Sequence, residues 1–121
     1  MSNFQEILEA YGADYAKTME RFMGNEAFYM RILMMLSRDE NLQLLGTALE
    51  NGDLTAAFEA AHTLKGVAGN LGLTPLYDAV CKIVEPLRKR EDGCDYSARY
   101  RTIQDEFRKA EQLRQNLAEE M

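Results

Sequence analysis

Apolar side chains recur at steps of three and four along the first half of the chain, the spacing of amphipathic α-helices. The pattern predicts a first helix from Ser2 to Tyr11, with Ser2 and Gln5 at capping-box spacing and Gly12 as its end. It predicts a second short helix from Asp14 to Met23, because Gly24 follows.

The next apolar pattern begins after Asn25, a good N-cap residue, and extends to Glu50. It is compatible with one long helix or with two, and we expect a break near residues 37–39 because Asp39 falls on the apolar face. The methionines in this segment are interpreted as adaptable core filler: Met30, Met34 and Met35.

Turn signals divide the second half into three helices. Asn51-Gly52-Asp53 is a turn with Asp53 as N-cap of a helix to about Leu71, and Gly72 is its C-cap glycine. Thr74-Pro75 begins the next helix, in which Pro86 predicts a local distortion. After a loop over 91–94, Asp95 caps a last helix from Tyr96 to about Glu119. No strand pattern is present, so the sequence predicts an all-α antiparallel helical bundle.

The helix that follows Asp53 carries two faces. The first steps by three and four through residues suited to a core: Leu54, Ala57, Ala61, Leu64, Ala68 and Leu71. The second, which we call the His62 face, follows the same spacing beside it: Phe58, His62, Lys65, Gly66 and Gly69. Glycine within a helix costs roughly 1 kcal/mol relative to alanine, so glycines beside the only histidine suggest a site as well as a scaffold.

The His62 face carries the residue types that phosphoryl transfer requires. A neutral imidazole is a good nucleophile near pH 7, because an unperturbed histidine has a pKa of about 6.5. Lys65 lies one turn on and offers a mobile positive charge, while Gly66 and Gly69 leave space for another protein's active site. The residues alone are compatible with two roles for His62, that of a phosphoacceptor and that of a structural histidine.

Composition and charge exclude other classes. The 121 residues are expected to form a single domain, and the net charge of −6 argues against a nucleic-acid partner. No signal peptide or membrane-spanning run is visible, so we expect a cytoplasmic protein with no membrane partner. Cys81 and Cys94 form no CxxC pair and have no second histidine, so no metal site is predicted.

The segment His62-Thr-Leu-Lys-Gly-Val-Ala-Gly-Asn-Leu-Gly72 resembles the signature of the histidine-containing phosphotransfer (HPt) domain, roughly H-x-L-K-G-x-x-x-x-L-G. Residues 48–53 look like the family's turn before this helix, and Cys81 to Glu85 look like its C-x-x-L-E pattern with Val84 in place of leucine. The similarity extends from Phe28 to about Arg88. It implies a four-helix bundle over about 25–120, with additional short N-terminal helices over about 3–23.

The resemblance also implies a role for each residue of the site. His62 would be the phosphoacceptor, Lys65 would stabilise the phosphoryl oxygens, and Arg88 would be a second phosphate-stabilising cation. Gly66 would give steric clearance, and Phe58 and Gly69 would flank the docking patch. Val84 stands where some members have a glutamine, so that polar contact is missing from the pattern.

The implied function is that of a phosphocarrier in a two-component phosphorelay. It would accept a phosphoryl group from a receiver-domain aspartate and pass it to another, without turnover catalysis. The partners would be receiver domains of response regulators or hybrid histidine kinases, the carrier would be monomeric, and it would need no cofactor of its own because Mg²⁺ would come with the receiver.

Two alternatives stay open at this stage. The chain could be the phosphoacceptor domain of a larger histidine kinase of the chemotaxis type, although it contains no P-loop or glycine-rich ATP-lid pattern. A dimerising kinase domain is disfavoured because Thr63, not an acidic residue, follows His62. It could also be a helical adaptor in which His62 does no chemistry.

Overall fold

A computed structural model of the protein describes residues 3–120, and within that range every regular element is a helix. The predicted all-α class is therefore confirmed. A 3₁₀ segment over Met34–Arg38 separates the third and fourth helices. The α-helices are α1 (Asn3–Tyr11), α2 (Tyr15–Glu20), α3 (Glu26–Leu33), α4 (Asn41–Glu50), α5 (Leu54–Asn70), α6 (Thr74–Arg88) and α7 (Tyr96–Glu119).

Short polar side chains cap α2, α3, α5 and α7 at their first turns. Asn25, Asp53 and Asp95 each accept a hydrogen bond from the backbone N–H three residues on, at 2.9, 3.0 and 2.9 Å. Asp14 caps α2 in the same way through the N–H of Lys17, at 3.1 Å. A cap of this type stabilises its helix by about 1 kcal/mol, so these starts are determined locally, as the sequence indicated. The proposed capping box at Ser2 lies outside the described residues.

The last four helices contact one another in a closed circuit. α5 packs against both α4 and α6, α6 packs against α7, and α7 returns to contact α4. Connections of three residues follow α4 and α5, which is the connectivity expected of antiparallel neighbours. α1 lies on α7, and α2 packs on α1. Small buried residues of α5 allow its neighbours to approach closely: Ala57, Ala60, Ala61 and Ala68.

The predicted break after α3 is confirmed, but the assignment of the methionines was wrong in part. Met30 is buried, whereas the side chains of Met34 and Met35 are 50% and 61% exposed. The core face of this segment consists instead of Tyr29, Met30, Leu33 and Leu36. A 3₁₀ helix turns every three residues, so the α-helical spacing that placed Met35 on the apolar face does not hold there.

The ends of two other elements differ from the prediction. α2 ends at Glu20 rather than Met23, and the Met23 backbone is left-handed (φ 55°) with its side chain 90% exposed. The N–H groups of Phe22 and Gly24 both donate to the Met19 carbonyl, which closes the chain into a turn before Gly24. α6 begins one residue early, with Leu73 rather than Thr74 at the N-cap position.

The end of α5 agrees with the sequence pattern, and α6 continues as one α-helix through Pro86. Gly72 has φ 67° immediately after α5, as expected of a C-cap glycine. α6 includes Pro86 and ends two residues later at Arg88. In the described part of the chain, no helix is long and apolar enough to cross a membrane.

Candidate functional site

The two faces predicted for α5 separate in the structure. The core face is buried from Ala57 to Leu71, with Leu54 half-buried at its start. His62 and Gly66 are exposed on the other face, while Phe58 and Lys65 are half-buried. His62 therefore presents its imidazole to solvent from the middle of a helix that is fixed along its opposite side.

An aromatic stack holds one side of the imidazole. The rings of Phe58 and His62 lie one helical turn apart, with centroids 5.6 Å apart and an interplanar angle of 25°. The guanidinium carbon of Arg88 lies 5.1 Å from the Phe58 ring centroid, and Arg88 Nε is 3.4 Å from a Glu85 carboxylate oxygen. α6 thus supports the stack by a cation–π contact to Phe58.

Lys65 lies on the other side of His62, one turn towards the end of α5. Its ammonium group is 6.0 Å from the centroid of the Tyr77 ring on α6. Among residues 3–120, no carboxylate forms a salt bridge with Lys65. Its charge is therefore available to an anion at the imidazole.

The two glycines of the His62 face have different surroundings. A Cβ built at Gly66 would meet no atom within 4 Å, so the helix surface beside His62 is open. A Cβ at Gly69 would lie 3.3 Å from the ring of Tyr77, so the missing side chain makes room for α6. The surface at Gly66 is thus open, whereas the surface at Gly69 is in contact with α6.

A surface groove of about 670 Å³ extends from His62 towards the end of α5. Its walls come from α5, from the start of α6 and from α2. The α2 wall is Asp14, Lys17, Thr18 and Arg21. These four residues are distant from the His62 motif along the chain and carry no motif of their own.

Arg88 does not line this groove. α5 and α6 are neighbours of opposite direction, so Tyr77 near the start of α6 meets Gly69, and Arg88 at its end meets Phe58. The structure therefore places His62, Lys65 and Gly66 together at this groove. It places Arg88 on the Phe58 side of the imidazole, against Phe58 and Glu85.

The arrangement is suited to transfer of a phosphoryl group between proteins. An exposed imidazole on a rigid helix provides a nucleophile with in-line access, and an unpaired cation one turn away can stabilise charge on a transferring phosphoryl group. In the described chain, no group of three or more His, Cys, Asp or Glu side chains is placed to hold a metal ion.

Comparison with known families identifies the family of the chain. The family model of the Hpt domain matches residues 30–120, well over half of the chain. The protein therefore belongs to the Hpt domain family, whose members are helical bundles that carry phosphoryl groups on histidine in phosphorelays and interact with receiver domains. They are phosphocarriers rather than turnover enzymes. Searches of curated proteins and of solved structures found no match.

Proposed function

We propose that His62 is the phosphoacceptor of this Hpt protein, through its outer ring nitrogen Nε2. The observation that carries the proposal is the exposed imidazole beside the open surface of Gly66 and the unpaired charge of Lys65. His62 is also the only histidine in the sequence, so no other residue can supply the family's chemistry.

The reaction is a reversible exchange between two side chains. The Nε2 lone pair attacks the phosphorus of a receiver's aspartyl phosphate, an N–P bond forms, and the acyl O–P bond breaks. The aspartate leaves as a carboxylate, and Nδ1 keeps its proton. The reverse sequence on a second receiver delivers the group and restores neutral His62. Transfer of this kind depends on alignment and charge stabilisation, which a rigid α5 and Lys65 supply.

Lys65 stabilises the phosphoryl oxygens in this proposal, because it lies one turn from His62 on the same face and has no carboxylate partner among the described residues. The role proposed for Arg88 differs from the phosphate-stabilising role that the resemblance implied. Its contacts with Phe58 and Glu85 assign it to supporting the ring that stacks on His62.

The proposed partners are receiver domains of response regulators or hybrid histidine kinases, met by a monomeric carrier in the cytoplasm. The receiver supplies the Mg²⁺ that neutralises charge during transfer, so no cofactor of this chain is required. The phosphoryl donor and the phosphoryl acceptor both belong to this partner class.

The test uses purified protein and a panel of receivers phosphorylated with radioactive phosphate. We expect label to move to the protein in a form that is stable to alkali and labile to acid, as a phosphohistidine is. The variant H62Q should take no label while its helical circular dichroism is unchanged. Label on folded H62Q would refute the assignment of His62.

A second variant tests the cation. K65A should fold normally and accept phosphate more slowly, since charge-assisted contacts to phosphate contribute about 1.5–3 kcal/mol. K65R, which keeps the charge, should recover part of the rate. Equal rates for K65A and the unmodified protein would remove the role proposed for Lys65.

A further inference from the structure

The α2 wall of the groove carries two basic side chains that lie outside the matched part of the Hpt family model. Lys17 and Arg21 line the groove together with His62 and Lys65, whereas the family match begins at residue 30. The groove thus combines the His62 face of α5 with a wall that lies outside the residues matched by the family model.

Two contacts fix α2 against the end of α5. The guanidinium of Arg21 donates a hydrogen bond to the carbonyl of Gly69, which is close to the negative end of α5. Thr18 is buried and packs so closely on Gly72 that a Cβ there would lie 2.1 Å from the Thr18 hydroxyl oxygen. The basic wall is therefore held in place before any partner binds, which lowers the entropic cost of binding.

The charges at the groove differ from those of the chain as a whole. The groove is lined by three basic side chains, Lys17, Arg21 and Lys65, and by two acidic ones, Asp14 and Asp78, whereas the full chain has a net charge of −6. The Asp14 carboxylate already accepts the N–H of Lys17 as the α2 cap. In residues 3–120, none of the three cations forms a salt bridge, so their charge is free to act on a partner.

The guanidinium of Arg21 contacts α5 at Gly69, which is too far along the helix from His62 for Arg21 to reach a phosphoryl group there. Gly69 follows His62 by seven residues, which corresponds to about 10 Å along a helix at about 1.5 Å per residue. A typical protein interface covers about 800 Å² on each partner, a patch of about 16 Å radius. A partner centred on His62 would therefore cover the α2 wall.

We propose that Lys17 and Arg21 form a basic docking wall for the acidic surface around a receiver's phosphorylation site. This inference rests on the proposed function, because it takes the receiver as the partner at His62. A receiver that binds Mg²⁺ beside its aspartate uses carboxylate ligands, so the surface around its phosphorylation site carries acidic side chains. The wall attracts that surface and directs the receiver towards the end of α5 that lies beyond Lys65.

Charge reversal at the wall separates docking from chemistry. In single-turnover transfer from a phosphorylated receiver, K17E and R21E should each raise the half-saturating receiver concentration about fivefold or more. The limiting rate should change less than twofold, because the proposed wall acts on docking and not on the phosphoryl group. The steep dependence on salt expected for the unmodified protein should become shallower in both variants.

The matched control is R101E, a charge reversal at an exposed arginine of α7 that does not line the groove. It changes the net charge equally, so it should leave the half-saturating concentration nearly unchanged. Because R21E also loses the bond to Gly69, circular dichroism and thermal unfolding monitor its fold. R21K keeps the charge and should retain most of the docking. K17E removes no side-chain contact, so its half-saturating receiver concentration tests the wall if R21E unfolds.

Binding to H62Q distinguishes failure of this inference from failure of the proposed function. Calorimetric titration of a receiver into H62Q and into K17E/H62Q measures docking without transfer. Weaker, less salt-dependent binding by the double variant supports the wall even if His62 is not the acceptor. Equal affinities of the two proteins, or a loss with K17E no larger than with R101E, would overturn the wall while leaving His62 phosphorylation intact.

Discussion

Phe58 and His62 stack with ring centroids 5.6 Å apart, and Arg88 lies 5.1 Å from the centroid of the same Phe58 ring. Phe58 therefore links a cation of α6 to the imidazole of α5. This relationship restricts the rotation of the proposed nucleophile, since an aromatic pair of this kind contributes about 0.5–1.5 kcal/mol beyond its buried area.

We predict that F58L slows phosphoryl transfer to His62 by about two- to tenfold, the kinetic equivalent of that stacking energy. Leucine keeps apolar volume at the position and removes only the aromatic ring, so the free energy of unfolding should change little. Single-turnover labelling at saturating receiver measures the effect. A limiting rate equal to that of the unmodified protein would show that the stack does not position the imidazole.

Arg88 offers a separate prediction by a double-mutant cycle. If Arg88 acts through Phe58, R88Q should slow transfer in the unmodified protein and have almost no effect in F58L, so the two losses are not additive. If Arg88 contacts the phosphoryl group directly, R88Q should slow F58L to the same extent as the unmodified protein. Limiting rates of the four proteins distinguish these roles.

Gly66 should show opposite effects on stability and function. A Cβ at Gly66 meets nothing within 4 Å, so G66A should raise the free energy of unfolding by about 0.5–1 kcal/mol, measured by urea denaturation. The larger G66L should also fold, but it should reduce transfer at least tenfold because its side chain occupies the surface beside His62.

The control for this prediction is G69A, whose Cβ would lie 3.3 Å from the Tyr77 ring. It should gain less stability than G66A, because the ring must shift. If G66L accepted phosphate as fast as the unmodified protein, the open surface at Gly66 would not be required for docking.

Gly72, at the end of α5, packs against Thr18 of α2. We predict that G72A destabilises the fold. The residue has φ 67°, a conformation that costs a residue with a Cβ about 1–2 kcal/mol, and its Cβ would lie 2.1 Å from the Thr18 hydroxyl oxygen. The T18A background removes that oxygen and the methyl group, so G72A should then cost only the conformational part. If G72A lowered the free energy of unfolding equally in the unmodified protein and in T18A, as measured by chemical denaturation, the close contact between Gly72 and Thr18 would be contradicted.

Alkaline pH should weaken the fold through two buried tyrosines. Burial raises the pKa of Tyr29 and of Tyr11 above the ordinary value of 10.0. Their neutral forms therefore stabilise the fold fully below about pH 10, and this contribution is lost as rising pH ionises tyrosine in the unfolded chain. The free energy of unfolding should be level to about pH 9 and fall above pH 10.

The two phenylalanine variants should differ at neutral pH. The Tyr29 hydroxyl donates to the Leu71 carbonyl at 2.7 Å, so Y29F should cost about 1–3 kcal/mol by leaving that carbonyl unpaired. The Tyr11 hydroxyl is buried without a well-formed hydrogen bond, so Y11F should cost almost nothing. In the double variant, the free energy of unfolding should fall less steeply above pH 10. If it fell as steeply as in the unmodified protein, groups other than these tyrosines would cause the decline.

Local signals in the sequence determined much of this structure. Asn25, Asp53 and Asp95 cap helices because a short polar side chain can satisfy a free N–H within its own turn, and Gly72 ends α5 because it accepts positive φ. The spacing along α5 separated its core face from the His62 face because helical geometry fixes which side chains lie on the same side.

Contacts between distant segments were decided only by the tertiary structure. Met34 and Met35 are exposed because the chain turns as a 3₁₀ segment, which the apolar pattern does not encode. Arg88 supports Phe58, and Arg21 reaches Gly69, because the packing of α6 and α2 on α5 sets which side chains meet. The sequence alone thus placed His62 on a helix face apart from the core, whereas the fold determined which cations surround it, since that depends on residues far apart in the chain.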